Sequence, residues 1–145
     1  MTDKGVESAG QRHGERAVEL RVAPRLENLA VLRTLVGAVG TLEDLDLDTV
    51  EDLRLAVDEA CTRLIRSASP EGTLVVVVDP RDDDVVVQAS VACESVDVLT
   101  PGSFSWHVLT SLTDEVKTFG DGREPQGGHR VFGITLTTHR AGRAQ

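Results

Sequence analysis

The apolar positions of this chain follow first a strand pattern and then a helix pattern. In residues 16–24, apolar residues alternate with charged ones, which predicts a half-buried strand. Those apolar residues are Val18, Leu20 and Val22. Farther along, Leu29, Leu32, Val36 and Val39 recur at helical spacing. This spacing predicts a first helix, and Gly40 is a plausible end for it.

A longer helix is predicted over residues 49–68. Asp48 and Glu51 have the spacing of a capping box at its start. The Ser69-Pro70 step ends it, because proline disfavours helical backbone in the residue before it. One face of this helix is apolar and should point into the core: Val50, Leu53, Val57, Ala60 or Cys61, and Leu64.

Two valine-rich runs, TLVVVVD and DVVVQASVA, predict an antiparallel hairpin. The first run is apolar on both faces, so its strand should lie inside the sheet. Phe104, Val108, Leu109 and Leu112 predict a third helix that ends near Asp114, and EVKTF and VFGITLTT predict a second hairpin. The order β-α-α-β-β-α-β-β predicts an α+β two-layer sandwich. Its sheet should be mixed but mostly antiparallel, with the helices on one face.

Length and composition indicate one ordinary globular domain. The chain has 145 residues, of which 40% are hydrophobic and 27% charged. Aromatic residues make up only 3%, so the core should be aliphatic. Residues 1–15 and 139–145 lack periodicity and are expected to be flexible tails around a domain at 16–138. No apolar run approaches the ~20 residues of a membrane helix, and the first residues do not form a signal peptide. With only two cysteines, the expected location is cytoplasmic.

The formal net charge of −9 argues against direct binding of nucleic acid, which needs a basic face. It suits a basic protein partner, because opposite charge steers association. Solubility alone is the other explanation of this charge.

Short chemical motifs give no metal site and no hydrolase site. Asp44, Asp46 and Asp48 resemble the start of a calcium loop, but the required glycine and glutamate do not follow. The four histidines are scattered, and Walker and nucleophile-elbow motifs are absent. Cys61 and Cys93 are predicted to be small buried residues, with redox sensing as the alternative.

Glu59 and Arg63 stand four residues apart on the flank of the long helix, away from its apolar stripe. From spacing alone, they are a surface pair worth a few tenths of a kcal/mol. The surrounding AVDEACTR, however, resembles the signature Ser/Asp-Glu-Ala-x-Thr-Asn of the anti-sigma-factor serine-protein kinases. These proteins, of the RsbW/SpoIIAB type, are a branch of the GHKL (Bergerat-fold) ATPases.

The resemblance extends over residues 16–138 and looks closest to mycobacterial members that hold a general-stress sigma factor of the F type. The segments PRLENL and PGSFSWHVLT support it. The family implies a sheet with helices on one face and sequestration of a sigma factor away from core polymerase. It also implies release by an anti-anti-sigma protein, which kinase members phosphorylate, and a homodimer.

The departures from the family pattern concern the nucleotide site. Glu59 matches the catalytic base, but Arg63 replaces the asparagine that ligates magnesium, and a guanidinium has no acceptor. Residues 92–95 lack the Asp-x-Gly-x-Gly of adenine recognition, and Ser103-Phe104-Ser105 replaces a phosphate-binding Gly-x-Gly. The resemblance therefore implies a vestigial base at Glu59, no metal, and at most weak ATP or ADP binding. Arg63, Ser103 and Ser105 would form that degenerate site, with Arg63 touching a phosphate directly.

Three functions remain open. The leading one is an anti-sigma factor with weak or no enzymatic activity; an active serine-protein kinase and a small-molecule sensor are the alternatives. By the resemblance, the partner-binding face lies on the first helix, where Glu27 and Arg33 are candidates and Arg33 should be exposed. Solvated surface charge is the competing interpretation of both. The acidic residues 43–59 could also meet basic regions of a sigma factor.

Overall fold

An antiparallel sheet forms one layer of the domain. The computed structural model describes residues 13–94, 98–120 and 130–140, with the backbone of residues 125, 126 and 129. Across the sheet the order is β1-β2-β3-β6-β4, and the short β5 pairs only with β6. The strands are β1 (Val18–Val22), β2 (Leu74–Pro80), β3 (Asp84–Cys93), β4 (Glu115–Phe119), β5 (Pro125–Gln126) and β6 (His129–His139). Every pairing between described strands is antiparallel, so the expected mixed, mostly antiparallel sheet has no parallel pair there.

The valine-rich hairpin lies inside this sheet, as the sequence predicts. β2 is flanked by β1 and β3, with Val76 opposite both Leu20 and Ala89. Even the side chains of β2 that alternate to the other face, Val77 and Asp79, are buried. A strand hydrogen-bonded on both edges and buried on both faces requires a continuous apolar run, which is what the sequence supplies.

Three helices pack on one face of the sheet and make this an α+β two-layer fold. They are α1 (Leu29–Leu42, preceded by a 3₁₀ turn at Leu26–Asn28), α2 (Leu47–Ser67) and α3 (Phe104–Leu112). The stripe predicted for the long helix is buried from Leu53 to Leu64. The core that it enters is almost wholly aliphatic, with Phe132 as its buried aromatic side chain among the described residues.

Both predicted boundaries between α1 and α2 shift by about one helical half-turn. α1 continues through Gly40 to Leu42. Gly40 does not end the helix but allows a close contact between helices, since a Cβ there would lie 2.6 Å from Val50 Cγ2. α2 begins at Leu47, where Asp46 accepts a hydrogen bond from the Thr49 amide. The predicted capping box at Asp48 is therefore wrong; Asp48 lies inside the first turn instead.

Contacts extend beyond the residues expected to bound the domain. At one end, the Gly14 amide donates to the buried carboxylate of Asp79, at 3.1 and 3.2 Å from its two oxygens. At the other, β6 runs to His139 and the Arg140 side chain is mostly buried. In the described part of the chain, no helix is both long and apolar enough to cross a membrane.

Candidate functional site

Glu59 and Ser105 meet where α2 packs against α3. The Ser105 hydroxyl donates a 2.7 Å hydrogen bond to Glu59 Oε2, although the two residues are 46 positions apart in the chain. Ser105 is buried, and Glu59 is half-buried on the flank of α2. The structure thus brings together the expected vestigial base and one residue of the expected degenerate nucleotide site.

Ser103 caps the start of α3, and this uses its hydroxyl. Its backbone is extended, and its hydroxyl accepts a hydrogen bond from the Trp106 amide at 3.2 Å. This is N-cap geometry, which satisfies one of the free amides at the helix start. The next residue, Phe104, directs a large apolar side chain into solvent and is 82% exposed.

Arg63 lies one turn beyond Glu59 on α2 and is exposed. It forms no ion pair or hydrogen bond with any residue that the structure describes, so the surface pair with Glu59 expected from spacing is not formed. Glu59 instead points its carboxylate to Ser105. Arg63 therefore presents an uncompensated positive charge on this flank.

The described residues do not fit a magnesium nucleotide held in the way the family pattern implies. Magnesium needs oxygen ligands, and the position one turn after Glu59 carries a guanidinium. Among described residues, no group of three His, Cys, Asp or Glu side chains could hold a metal ion. At the start of α3, the Ser103 hydroxyl already binds an amide that an open glycine loop would offer to phosphate. Ala92 and Cys93 continue the strand β3, and Ser95 lies outside the described residues.

The two candidate partner-binding residues are placed differently. Arg33 was expected to be exposed, but its Nε donates to Asp58 Oδ1 at 2.9 Å and its side chain is 43% exposed. This ion pair joins α1 to α2 immediately beside Glu59. Glu27 lies in the 3₁₀ turn and is well exposed, 4.0 Å from the Arg25 guanidinium. No contact brings Glu27 and Arg33 together in the described structure.

Asp58 is the residue that the sequence analysis missed. The sequence shows that Asp58 and Arg33 carry opposite charges. Their pairing, however, depends on how α1 and α2 are aligned, and the periodicity of apolar residues does not predict that alignment.

Asp58 also affects Cys61. The thiol pKa of Cys61 is raised to about 12, mainly by burial and secondly by the Asp58 carboxylate.

Comparison with known proteins decides the family. The model of the histidine kinase-like ATPase domain matches residues 22–130. The chain belongs to this family. Over 141 residues it is 67% identical to the anti-sigma-F factor RsbW of two Mycobacterium tuberculosis strains. The match covers 97% of this chain and 84% of the relative.

A more distant relative carries the name of a kinase. The serine-protein kinase RsbW of Bacillus cereus is 25% identical over 75 residues, covering 50% of this chain and 47% of the relative. The resemblance to the anti-sigma-factor serine-protein kinases is therefore confirmed. The site geometry departs from the family pattern at the magnesium and phosphate positions described above.

Proposed function

We propose that this protein is an anti-sigma factor that binds an F-type, general-stress sigma factor of RNA polymerase and withholds it from the core enzyme. The observation that carries the proposal is the 67% identity, over 97% of this chain, to a protein named anti-sigma-F factor. Identity at this level over nearly the whole chain supports shared binding surfaces as well as a shared core. The site of action would be the cytoplasm, where the polymerase works.

Charge supports a basic protein partner and opposes binding to DNA. The formal net charge is −9, so the long-range field repels phosphate backbones and attracts basic surfaces. Sequestration would therefore occur by direct contact with the sigma factor. Competition by an anti-anti-sigma protein for the same chain would release it, and the working form would be a homodimer.

The partner-binding residues of this proposal are Glu27 and Arg33. Glu27 is exposed before α1, and nearly half of the Arg33 side chain remains accessible despite its ion pair. A partner carboxylate could compete with Asp58 for Arg33, so binding there would loosen the contact between α1 and α2. Removing Arg33 should weaken binding of the sigma factor more than removing Arg21, an exposed residue of the same charge that pairs with Glu19.

The function would not require phosphoryl transfer. Glu59 accepts a hydrogen bond from Ser105, and Arg63 occupies the position of a magnesium ligand in the family pattern. The hydrogen bond from Ser105 supports a structural role for Glu59. The residues around Glu59 would then bind ATP or ADP weakly at most, with Arg63 as the contact to phosphate.

The decisive experiment mixes the purified protein with an F-type sigma factor. We expect co-elution as a complex in gel filtration and loss of sigma-dependent transcription when core polymerase is added afterwards. Arg33→Ala should weaken the complex, with Arg21→Ala as the charge-matched control. Failure of the wild-type protein to bind the sigma factor at moderate salt would refute the proposal.

The distant similarity to serine-protein kinases supports one alternative, an active kinase. That alternative requires transfer of labelled phosphate from magnesium ATP to an anti-anti-sigma protein, abolished by Glu59→Gln. We expect no transfer with either the wild-type protein or the variant. Transfer that depends on Glu59 would establish the kinase and overturn the proposed absence of enzymatic activity.

A further inference from the structure

The connection between α1 and α2 exposes two leucines beside a shallow depression. Leu42 is 79% exposed and Leu47 is 78% exposed, so both place most of an apolar side chain in solvent. The adjacent depression has a volume of about 300 Å³. It is lined by Gly37, Gly40, Thr41, Asp44, Leu45, Leu47 and Val50. We call this surface, with Leu42, the α1–α2 corner.

The depression exists because two positions of α1 carry no side chain. Gly40 allows α2 to approach, since a Cβ there would meet Val50. Gly37 faces open space, with no atom within 4 Å of where its Cβ would stand. Hydrogen bonds hold the connection in place: the Leu45 amide donates to Gly40 O at 2.9 Å, and the Asp44 amide donates to Thr41 O at 3.2 Å. The depression is therefore preformed.

The segment that forms the corner is rich in acidic residues. Residues 43–52 contain six carboxylates and no lysine or arginine. Three of these carboxylates are used within the domain: Glu43 pairs with Arg16 and Arg140, Asp46 caps α2, and Glu51 faces Arg54. The other three form no ion pair with any described residue; they are Asp44, Asp48 and Asp52.

A depression whose lining combines apolar side chains with Thr41 and the unpaired carboxylate of Asp44 matches one class of ligand. We propose that the α1–α2 corner binds a cationic amphipathic helix of the sigma factor, an inference that rests on the proposed function. Apolar side chains of that helix would cover Leu42 and Leu47 and fill the space over Gly37. Its lysines or arginines would face Asp44 in the lining and Asp48, the residue that follows the exposed Leu47, as expected for helix-in-groove recognition.

Charge favours a basic helix at the α1–α2 corner over a second copy of this chain or nucleic acid. A second copy of this chain, docked by the same surface about a two-fold axis, would bring the unpaired carboxylates of both copies together. Nucleic acid would meet the same repulsion from its phosphates. A basic helix gains electrostatically and also buries the exposed leucines.

The test measures the affinity of the purified protein for the purified F-type sigma factor. The variant Leu42→Gln/Leu47→Gln removes the apolar contact at two exposed positions, so the fold should persist; an unchanged melting temperature checks this. The matched control is Leu55→Gln, on α2 and 54% exposed, about 12 Å along the helix from Leu47. We expect the double variant to bind at least tenfold more weakly, and the control within about twofold of wild type.

A second variant tests the charges separately. Asp44→Asn/Asp48→Asn should slow association and flatten its dependence on salt, because rim charges act mainly on the association rate. Gly37→Trp, which fills the depression without removing an apolar group, should also weaken binding.

The outcomes separate this inference from the proposed function. Normal binding by wild type and equally by the leucine variant would overturn the inference and leave the anti-sigma function intact. No binding by wild type would overturn both. Loss of self-association by the leucine variant, with sigma binding retained, would mean that a second copy occupies the corner and would also overturn the inference.

Discussion

Ser105 donates its hydroxyl hydrogen bond to Glu59 across the contact between α3 and α2. In the family pattern a glycine-rich segment stands where Ser103, Phe104 and Ser105 stand here, and glycine could not make this bond. The side chains that obstruct phosphate at the start of α3 thus include one that fastens α3 to α2. If the resemblance places the phosphate-binding glycines at these positions, the proposed weakening of nucleotide binding and this bond between α3 and α2 have the same origin.

This bond should be measurable as stability. Ser105→Ala leaves the half-buried Glu59 carboxylate without its donor, which should cost about 1–2 kcal/mol of unfolding free energy. Urea denaturation of both proteins would give the difference. Ser111→Ala is the control, since that exposed hydroxyl only bonds back to Val108 O of its own helix. Equal midpoints for Ser105→Ala and wild type would show that the hydrogen bond contributes nothing to folding.

The two glycines of the α1–α2 corner should respond oppositely to alanine. Gly37→Ala meets no atom within 4 Å and should gain about 0.5–1 kcal/mol from better helix propensity. Gly40→Ala gains the same propensity but places a Cβ 2.6 Å from Val50 Cγ2, so the helices must move apart. We expect a net loss of about 1 kcal/mol by thermal denaturation.

A double variant checks the cause of that loss. Val50→Ala removes the methyl group that a Cβ at Gly40 would strike, so adding Gly40→Ala to the Val50→Ala background should be neutral or stabilising. A loss as large as in the wild-type background would mean that backbone conformation, and not crowding, sets the requirement for Gly40.

Arg140 fastens the end of β6 to the α1–α2 connection. Its guanidinium donates to Glu43 Oε1 at 3.1 Å, to Glu43 O at 2.7 Å and to Arg81 O at 2.8 Å. Arg140→Ala should therefore cost about 2 kcal/mol, because charged hydrogen bonds in a mostly buried position are lost together. Arg21→Ala provides the contrast: its ion pair with Glu19 is exposed and should contribute almost nothing. Similar melting temperatures for the two variants would contradict this difference.

The sequence predicted the element order and the buried stripe of α2 because periodicity reports which side of an element is buried. It could not predict contacts between elements. Arg140 looked like part of an aperiodic basic tail, and only the folded chain brings Glu43 beside it. Gly40 has the residue type of a helix end, yet its role is a close approach to Val50, 10 positions later in the chain.

The candidate site shows the same limit. Spacing placed Glu59 and Arg63 on one flank of α2, and that placement is confirmed. Spacing also suggested that they pair, but the nearer donor to Glu59 is Ser105, which lies in another helix. An alternating acidic run likewise left Asp46 and Asp48 as nearly equal candidates for the cap of α2, because helix ends are defined by backbone geometry more than by composition.

Cys61 makes the stability of this domain depend on pH above neutrality. Its side chain is fully buried in α2, and burial raises its thiol pKa from 9.0 to about 12. The folded state therefore holds this proton more tightly than the unfolded chain does. The stabilisation is fully present below pH 9 and is lost as the pH rises toward 12, by about 1 kcal/mol per pH unit within that range.

Two measurements check this. In native protein at pH 8, neither Cys61 nor the equally buried Cys93 should react with a thiol reagent within minutes, and both should react in denaturant. The free energy of unfolding, followed from pH 8 to 10.5, should fall less steeply in Cys61→Ala than in wild type. Rapid labelling of native Cys61 would contradict its burial and reopen the redox role that the sequence left as an alternative.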